Sequence, residues 1–243
     1  MPVAKNHLIQ RLPVLAKQRL LRLCEPFPLV LTEVLCERDS PAEHVYFPTQ
    51  GFISLVARIE GHAGLEVGMV GREGMLGIQL IMGVVASPLQ ALVQGTGWAW
   101  RIRANDFKQE LQQSSPLRQV LNQYLYVLMV QMASSAACLR FHQIGERLAR
   151  WLLMSHDRAH VDTFRVTHEF LAYMLGVRRV GITMAAGVLQ KQGLISYHRG
   201  ELTVLDRAGL EGAACGCYAN DQHAYAAQLC SKANSLKKTT DQA

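Results

Sequence analysis

The chain has 243 residues, 49% of them hydrophobic and 18% charged, a balance that excludes the disordered, collagen-like and disulfide-framework classes and leaves room for one or two domains with their own cores. The formal charge of +6 is unevenly placed: between 165 and 199, Arg165, Arg178, Arg179, Lys191 and Arg199 face Glu169 alone, the local excess that a polyanion partner requires. Six scattered cysteines and an N-terminus, MPVAKNHLIQRLP, without an apolar signal core predict reduced thiols and a cytoplasmic location.

Residues 7–25 carry Leu and Arg or Lys at helical spacing. From about 29 to 104 the texture changes to short β-type runs, at 29–35, 44–47, 52–59, 64–70, 89–93 and 98–102, separated by turn material such as Asp39-Ser40-Pro41, Pro48-Thr49-Gln50-Gly51 and Gly95-Thr96-Gly97. Many short strands at regular spacing predict a β-barrel or a jelly-roll sandwich.

Ser114-Ser115-Pro116 then opens a helix running to about 139, with Pro in its first turn. Leu121, Leu125, Leu128, Met132, Ser135 and Leu139 recur at alternating four and three, while Tyr124, Val127, Val130 and Ala136 add a second apolar face. A helix apolar nearly all round must be buried on several sides, which predicts a homodimer packed helix to helix through Leu121, Leu125, Leu128, Met132 and Leu139, with burial inside one subunit as the alternative for so short a pattern. The charge-free stretch 119–139 contains Gln119, Asn122, Gln123, Gln131, Ser134 and Ser135, so it reads as a dimer helix and no membrane partner is expected.

The remainder is helical up to a hairpin. Residues 144–155 form an amphipathic helix; Thr167 caps a segment reaching about Leu175; Gly176 breaks it; a second helix covers 178–192; and 194–197 and 201–205 flank His198-Arg199-Gly200. Helix, Gly-containing turn, helix and hairpin make a winged helix-turn-helix. Leu171, Met174, Leu175, Val177, Ile182, Ala185 and Leu189 would pin its helices together, leaving Arg178, Arg179, Val180, Thr183 and Met184 outward. Arginines at the N-terminal end of such a helix can bridge guanine O6 and N7 in the major groove.

With HVYFPTQGFISL, EVGMVGREGMLG, IGERLARWLLM, the winged helix and LTVLDRAGLEGAACGCY in that order, nearly the whole chain resembles the Crp/Fnr superfamily of bacterial transcription regulators. The resemblance implies an α+β fold with a cyclic-nucleotide-binding-like jelly-roll sensor over 1–113, a dimerisation helix over 114–140, a winged helix-turn-helix over 141–220 and a C-terminal tail over 221–243. Its implied partners are double-stranded DNA, a second copy of the chain, RNA polymerase and a small-molecule effector. The family's base-reading positions fall on Arg179, Val180 and Met184, with Arg178 and Thr183 adjacent. Thr167 and Glu169 fall where the family contacts DNA backbone, and Arg199 at the hairpin tip reaches phosphate or the minor-groove edge. Two of the three base-reading positions are apolar here, suited to a thymine methyl.

The sensor departs from the cyclic-nucleotide pattern. The Arg-Ser/Thr-Ala triplet that holds the phosphate falls on Ser87, Pro88 and Leu89, so no cation remains and Pro88 removes a backbone donor. Cyclic AMP is therefore not expected, and Arg72, Glu73 and Ser87 are the residual candidates for a rearranged effector pocket. Cys24 and Cys36 alone precede Cys138, too few for an iron-sulfur sensor, and there is no Cys-x-x-Cys-His haem attachment. Cys215, Cys217, His223 and Cys230 match no strong zinc signature, so neither metal nor cofactor is expected. With no phosphate loop, nucleophile elbow or His-Glu-x-x-His, catalysis is not expected either. Two readings stand beside the DNA-binding regulator: a ligand-binding regulator with a rearranged pocket, and a scaffold using the same fold without DNA.

Overall fold

The computed structural model describes residues 5–61 and 64–230. Two short helices, α1 (His7–Gln10) and α2 (Val14–Arg22), lead into a five-stranded antiparallel sheet of β1 (Glu25–Leu29), β2 (Val34–Cys36), β3 (His44–Ala57), β4 (Leu65–Val70) and β5 (Leu89–Arg103). Its order is β1-β5-β3-β4, with β2 also on β5, so β1 and β4 are edges and, among the described residues, the sheet is an open barrel and not a closed ring. Pro13 starts α2 and the chain is already extended at Glu25, which splits and shortens the single helix expected over 7–25.

Two expected turns lie inside strands. Pro48–Gly51 and Gly95–Gly97 face each other across the β3–β5 ladder, whose register shifts between Pro48 and Gln50, between Gln50 and Phe52, and between Phe52 and Ile53. A Cβ on Gly51 would sit 2.2 Å from the Gly95 carbonyl oxygen, and one on Gly97 would sit 2.2 Å from that of Gln50. Proline and glycine thus mark bulges that bend two long strands, not gaps between short ones. Conversely, the strand expected over 29–35 is interrupted at 30–33 by a turn with Thr32 at φ 68, because β1 and β2 pair with different halves of β5 and the chain must step across the bend between them.

Helix α3 (Ala104–Gln113), unforeseen because its text is polar, buries Phe107 and Leu111 and pairs buried Glu110 with Arg19 at 2.7 Å. Next comes α4 (Ser115–Phe141), capped by the Ser114 hydroxyl. By length and composition α4 is apolar enough to cross a membrane, yet one side packs on the barrel: Leu117, Leu121, Tyr124, Val127 and Leu128 join the core that α1, α2, α3 and the sheet share.

The second core gathers α5 (Ile144–Ala159), α6 (His168–Leu175), α7 (Arg179–Lys191), α8 (Arg207–Ala213) and the three-stranded sheet of β6 (Thr163–Arg165), β7 (Ile195–His198) and β8 (Glu201–Val204), in the order β6-β8-β7. Barrel residues Phe52, Val56 and Met69 belong to this core too, so the two halves meet through a continuous apolar seam. Finally α9 (Cys217–Tyr225) and a π turn over Ala226–Cys230 pack back on α4. Helix α9 crosses the boundary placed at 220, and 231–243 of the expected tail lie outside the described residues.

Candidate nucleic-acid interface

The helix pair is built by local rules. Thr167 caps α6 by accepting the Phe170 N–H at 3.1 Å, and Gly176, at φ 62, ends the helix in the left-handed conformation that side chains resist. After Val177, Arg178 is the N-cap of α7, and the two helices are bent by 109°. Leu171, Met174, Leu175, Ile182, Ala185 and Leu189 are buried between and beneath them.

What remains outward is the predicted set. Arg178, Arg179, Val180, Thr183 and Met184 are all exposed on α7, and Thr167 and Glu169 are exposed at the start of α6. Arg199 is exposed at the β7–β8 turn, with φ 49 beside Gly200 at φ 82. None of Arg178, Arg179 or Arg199 is in an ion pair among the described residues, whereas Arg165 faces Glu201 at 3.8 Å. The structure therefore presents unneutralised guanidinium groups at the start of α7 and at the wing tip.

A second layer escaped sequence reasoning. His168 stacks on Tyr197 of the wing with centroids 4.3 Å apart, and its Nδ1 lies 3.1 Å from the Thr183 hydroxyl, which also reaches the Arg179 carbonyl at 3.1 Å. One side chain thus ties α6, α7 and the wing together. Burial, and then the Arg179 charge, hold the His168 imidazole below its ordinary value. Spacing gives no signal for this contact, since stacking pairs residues far apart in the chain.

The sensor candidates are not brought together. Glu73 accepts from Arg158 Nε at 2.7 Å and from the Gly71 N–H at 3.1 Å; with Arg72 it lines a polar cleft against α5, α8 and α9. Ser87 lines a separate cavity of about 270 Å³ between the barrel and α4, walled by Met75, Ile78, Leu89, Leu125 and Met132. Gly74 lies against the Tyr124 ring of α4, where a Cβ would fall 2.3 Å from the hydroxyl, and the Glu73–Arg158 pair ties the same loop to α5. An Arg72, Glu73 and Ser87 pocket is accordingly not formed. No Lys or Arg lines the apolar cavity; His44, Gln79 and Ser87 supply its polar side chains.

The predicted dimer seam is divided as well. Leu121 and Leu128 are buried in the chain's own core, Leu125 and Met132 are partly buried against it, and Leu139 is exposed. The outward side of α4 is rotated from that seam: Tyr126 is 54% exposed and Met129 61%, followed by exposed Ala133, Ala136 and Ala137. Of the cysteine and histidine candidates near the end, Cys215 and Cys217 are buried and His223 is exposed; the Cys230 side chain lies outside the described residues.

Residues 146–213 match the family described as the Crp-like helix-turn-helix domain. No curated protein matches the chain in sequence. Among solved structures, FixK2 from Bradyrhizobium japonicum is 15% identical at a TM-score of 0.66, covering 79% of this chain and 98% of its own. The c-di-GMP-responsive global regulator CLP of Xanthomonas campestris is 17% identical at 0.65, covering 79% and 99%. A CRP/FNR-family transcriptional regulator of Thermus thermophilus is 20% identical at 0.63, covering 78% and 98%. At such identities the likeness is one of fold, and it extends over the sensor as well as the winged helix. The chain carries a Crp-like helix-turn-helix domain within the fold shared by Crp/Fnr-type transcription regulators.

Proposed function

We propose that the protein is a homodimeric, sequence-specific DNA-binding transcription regulator that reads a two-fold-related operator with α7 and does not depend on cyclic AMP. The observation that carries this reading is the α7 surface: Arg178, Arg179, Val180, Thr183 and Met184 exposed on one helix, with both guanidinium groups free of ion pairs among the described residues. Arg179 reads guanine, while Val180 and Met184 meet thymine methyls. Thr167 and Glu169 lie beside the DNA backbone, and Arg199 on the wing adds a phosphate contact. A second copy of the chain covers the outward side of α4. That places α4 in a subunit interface, as expected of an apolar helix in a cytoplasmic protein.

The effector reading follows from the cavity. A cyclic nucleotide brings a phosphate whose burial without a cation is costly, and Ser87 and Leu89 line a space walled mostly by apolar side chains. An uncharged, largely apolar molecule suits it better.

The test is selection of bound fragments from random duplex DNA, followed by titration against salt. The expected result is a two-fold-related site with half-site centres about 10 base pairs apart and an affinity that falls steeply with salt. Salt-independent or absent binding to the selected duplex would overturn the reading in favour of a scaffold. Tighter operator binding on addition of cyclic AMP would overturn the effector part alone.

A further inference from the structure

Outside the winged helix, one cluster of side chains has no part in the reading above. Cys138 lies in the last turn of α4, His142 is the C-cap residue of that helix, Cys215 sits between α8 and α9, and Cys217 is the first residue of α9. We propose that Cys138, His142, Cys215 and Cys217 form a structural zinc site of the Cys3His class, with each side chain giving one ligand atom.

The geometry supports a single ion. The three Sγ atoms and a His142 ring nitrogen all lie within 4.8 Å of one another. Cys138 Sγ is 3.4 Å from Cys215 Sγ, and Cys217 Sγ is 3.6 Å from His142 Nδ1. Zinc–sulfur bonds of about 2.3 Å and zinc–nitrogen bonds of about 2.0–2.1 Å at tetrahedral angles put neighbouring ligand atoms roughly 3.6–3.8 Å apart. The Cys217–His142 edge already matches that figure, the Cys138–Cys215 edge must open by a few tenths of an ångström, and any edge near the 4.8 Å limit must close by about 1 Å. The 3.4 Å separation is also well beyond a disulfide bond, about 2.05 Å.

The placement follows from chain geometry. Cys138 and His142 are four apart and joined by the His142 N–H bond to the Cys138 carbonyl at 3.1 Å, so one helical face presents both. Cys215 and Cys217 flank Gly216 on the turn into α9, where the Tyr218 N–H closes back on the Cys215 carbonyl at 3.1 Å. All three thiols are buried, while half-buried His142 leaves an approach from solvent. Three thiolates and a neutral imidazole on a divalent ion carry net −1, and the guanidinium groups of Arg147 and Arg150 act on these sulfurs. Binding displaces three thiol protons to solvent and involves no oxidant.

Such an ion ties the end of α4 to the segment that closes the helix-turn-helix core. His142 and Gln143 link α4 to α5, so the site would fix the joint between the two helices.

The test uses the untagged full-length chain, purified under reducing conditions without chelator. About one zinc per chain is expected by mass spectrometry of the digested protein. Loading the zinc-stripped chain with Co2+ should give the thiolate charge-transfer absorption and the visible bands of a tetrahedral site. Cys138→Ser with Cys217→Ser should abolish stoichiometric retention, and His142→Ala should change the cobalt spectrum, whereas Cys24→Ser with Cys36→Ser should leave both unchanged. The wild-type cobalt spectrum decides the matter even if a cysteine variant fails to fold. Less than a tenth of an equivalent of metal in the reduced chain, an octahedral cobalt spectrum, or a Cys138–Cys215 disulfide in its place would overturn the proposal.

Discussion

The outward faces of α4 and α7 expose apolar side chains to a similar degree: Met129 is 61% exposed on one, Val180 63% on the other. What separates them is their charge. Between Arg118 and Arg140, α4 carries no charged residue, and its outward side narrows from Tyr126 and Met129 to Ala133, Ala136 and Ala137. Helix α7 begins with Arg178 and Arg179 and interleaves Thr183 with its apolar positions. An uncharged apolar strip with small residues lets a second helix approach closely, whereas apolar groups beside guanidinium forks suit base edges within a field of phosphates. With the roles proposed for α4 and α7, the distribution of cations and not exposed hydrophobicity is what separates a subunit interface from a nucleic-acid interface.

The largest effect should come from charging the α4 strip. Tyr126→Glu combined with Met129→Glu should leave the fold intact, because both side chains are exposed, yet give monomers in analytical ultracentrifugation. Losing the second half-site contact should then weaken operator binding by about 100-fold or more. Unchanged dimers would place the interface elsewhere. Leu128→Glu, by contrast, should unfold the chain, since Leu128 is 4% exposed within its own core.

On α7, Arg179→Ala should cost ~1–3 kcal/mol of discrimination at one base pair per half-site, read by binding to selected and randomised duplexes. Equal losses on both DNAs would show that α7 contacts only phosphate.

The seam between the halves offers a different charge. Glu66 of β4 accepts the Trp151 indole N–H of α5 at 2.9 Å and a hydrogen bond from Ser54, and burial pushes its carboxyl up from 4.5 to about 7. The folded chain keeps a proton there that the unfolded chain releases, so stability should fall as pH rises from about 4.5 to 7 and then level off. Glu66→Gln should flatten that part of the profile and raise stability above pH 7 by on the order of 2 kcal/mol, followed by denaturant melts across pH. A slope unchanged in the variant would assign it to another group.

The smallest change is expected at the wing. Arg199→Ala should weaken binding to all sequences alike and lower the salt slope by roughly one contact per subunit.

Much of the helix-turn-helix could be read along the chain because each of its signals is local: the Thr167 cap, the left-handed Gly176, the apolar period through Ile182, Ala185 and Leu189, and the Arg199-Gly200 turn. The barrel was less readable. Pro48 to Gly51 has the composition of a turn, and only its pairing with Gly95 to Gly97, more than forty residues away, makes it a bulge. The α4 seam is divided for a related reason. A four-and-three pattern says that a seam exists but not which neighbour fills it, and here the chain's own barrel takes Leu121 and Leu128. Arg72, Glu73 and Ser87 are grouped by the positions that the family's cyclic-nucleotide pattern assigns, which the pairing of Glu73 with Arg158 overrides.

The bent β3–β5 ladder also bears on how the chain folds. Its two strands pair from His44 with Arg103 to Ala57 with Leu89, and both β1 and β2 attach to β5. The central partner of the sheet is therefore its last strand, so the ladder must close loops of roughly thirty to sixty residues before contacts repay the entropy. The winged helix combines short-range pairings, α6 with α7 and β7 with β8, with a β6–β8 pairing across about forty residues. During synthesis the barrel's unpaired strands wait for β5 to appear, and a pause before residue 103 leaves β3 and β4 as a hairpin with an open edge, the species most prone to wrong pairing. Folding speed should accordingly respond strongly to changes at Gly51 and Gly97.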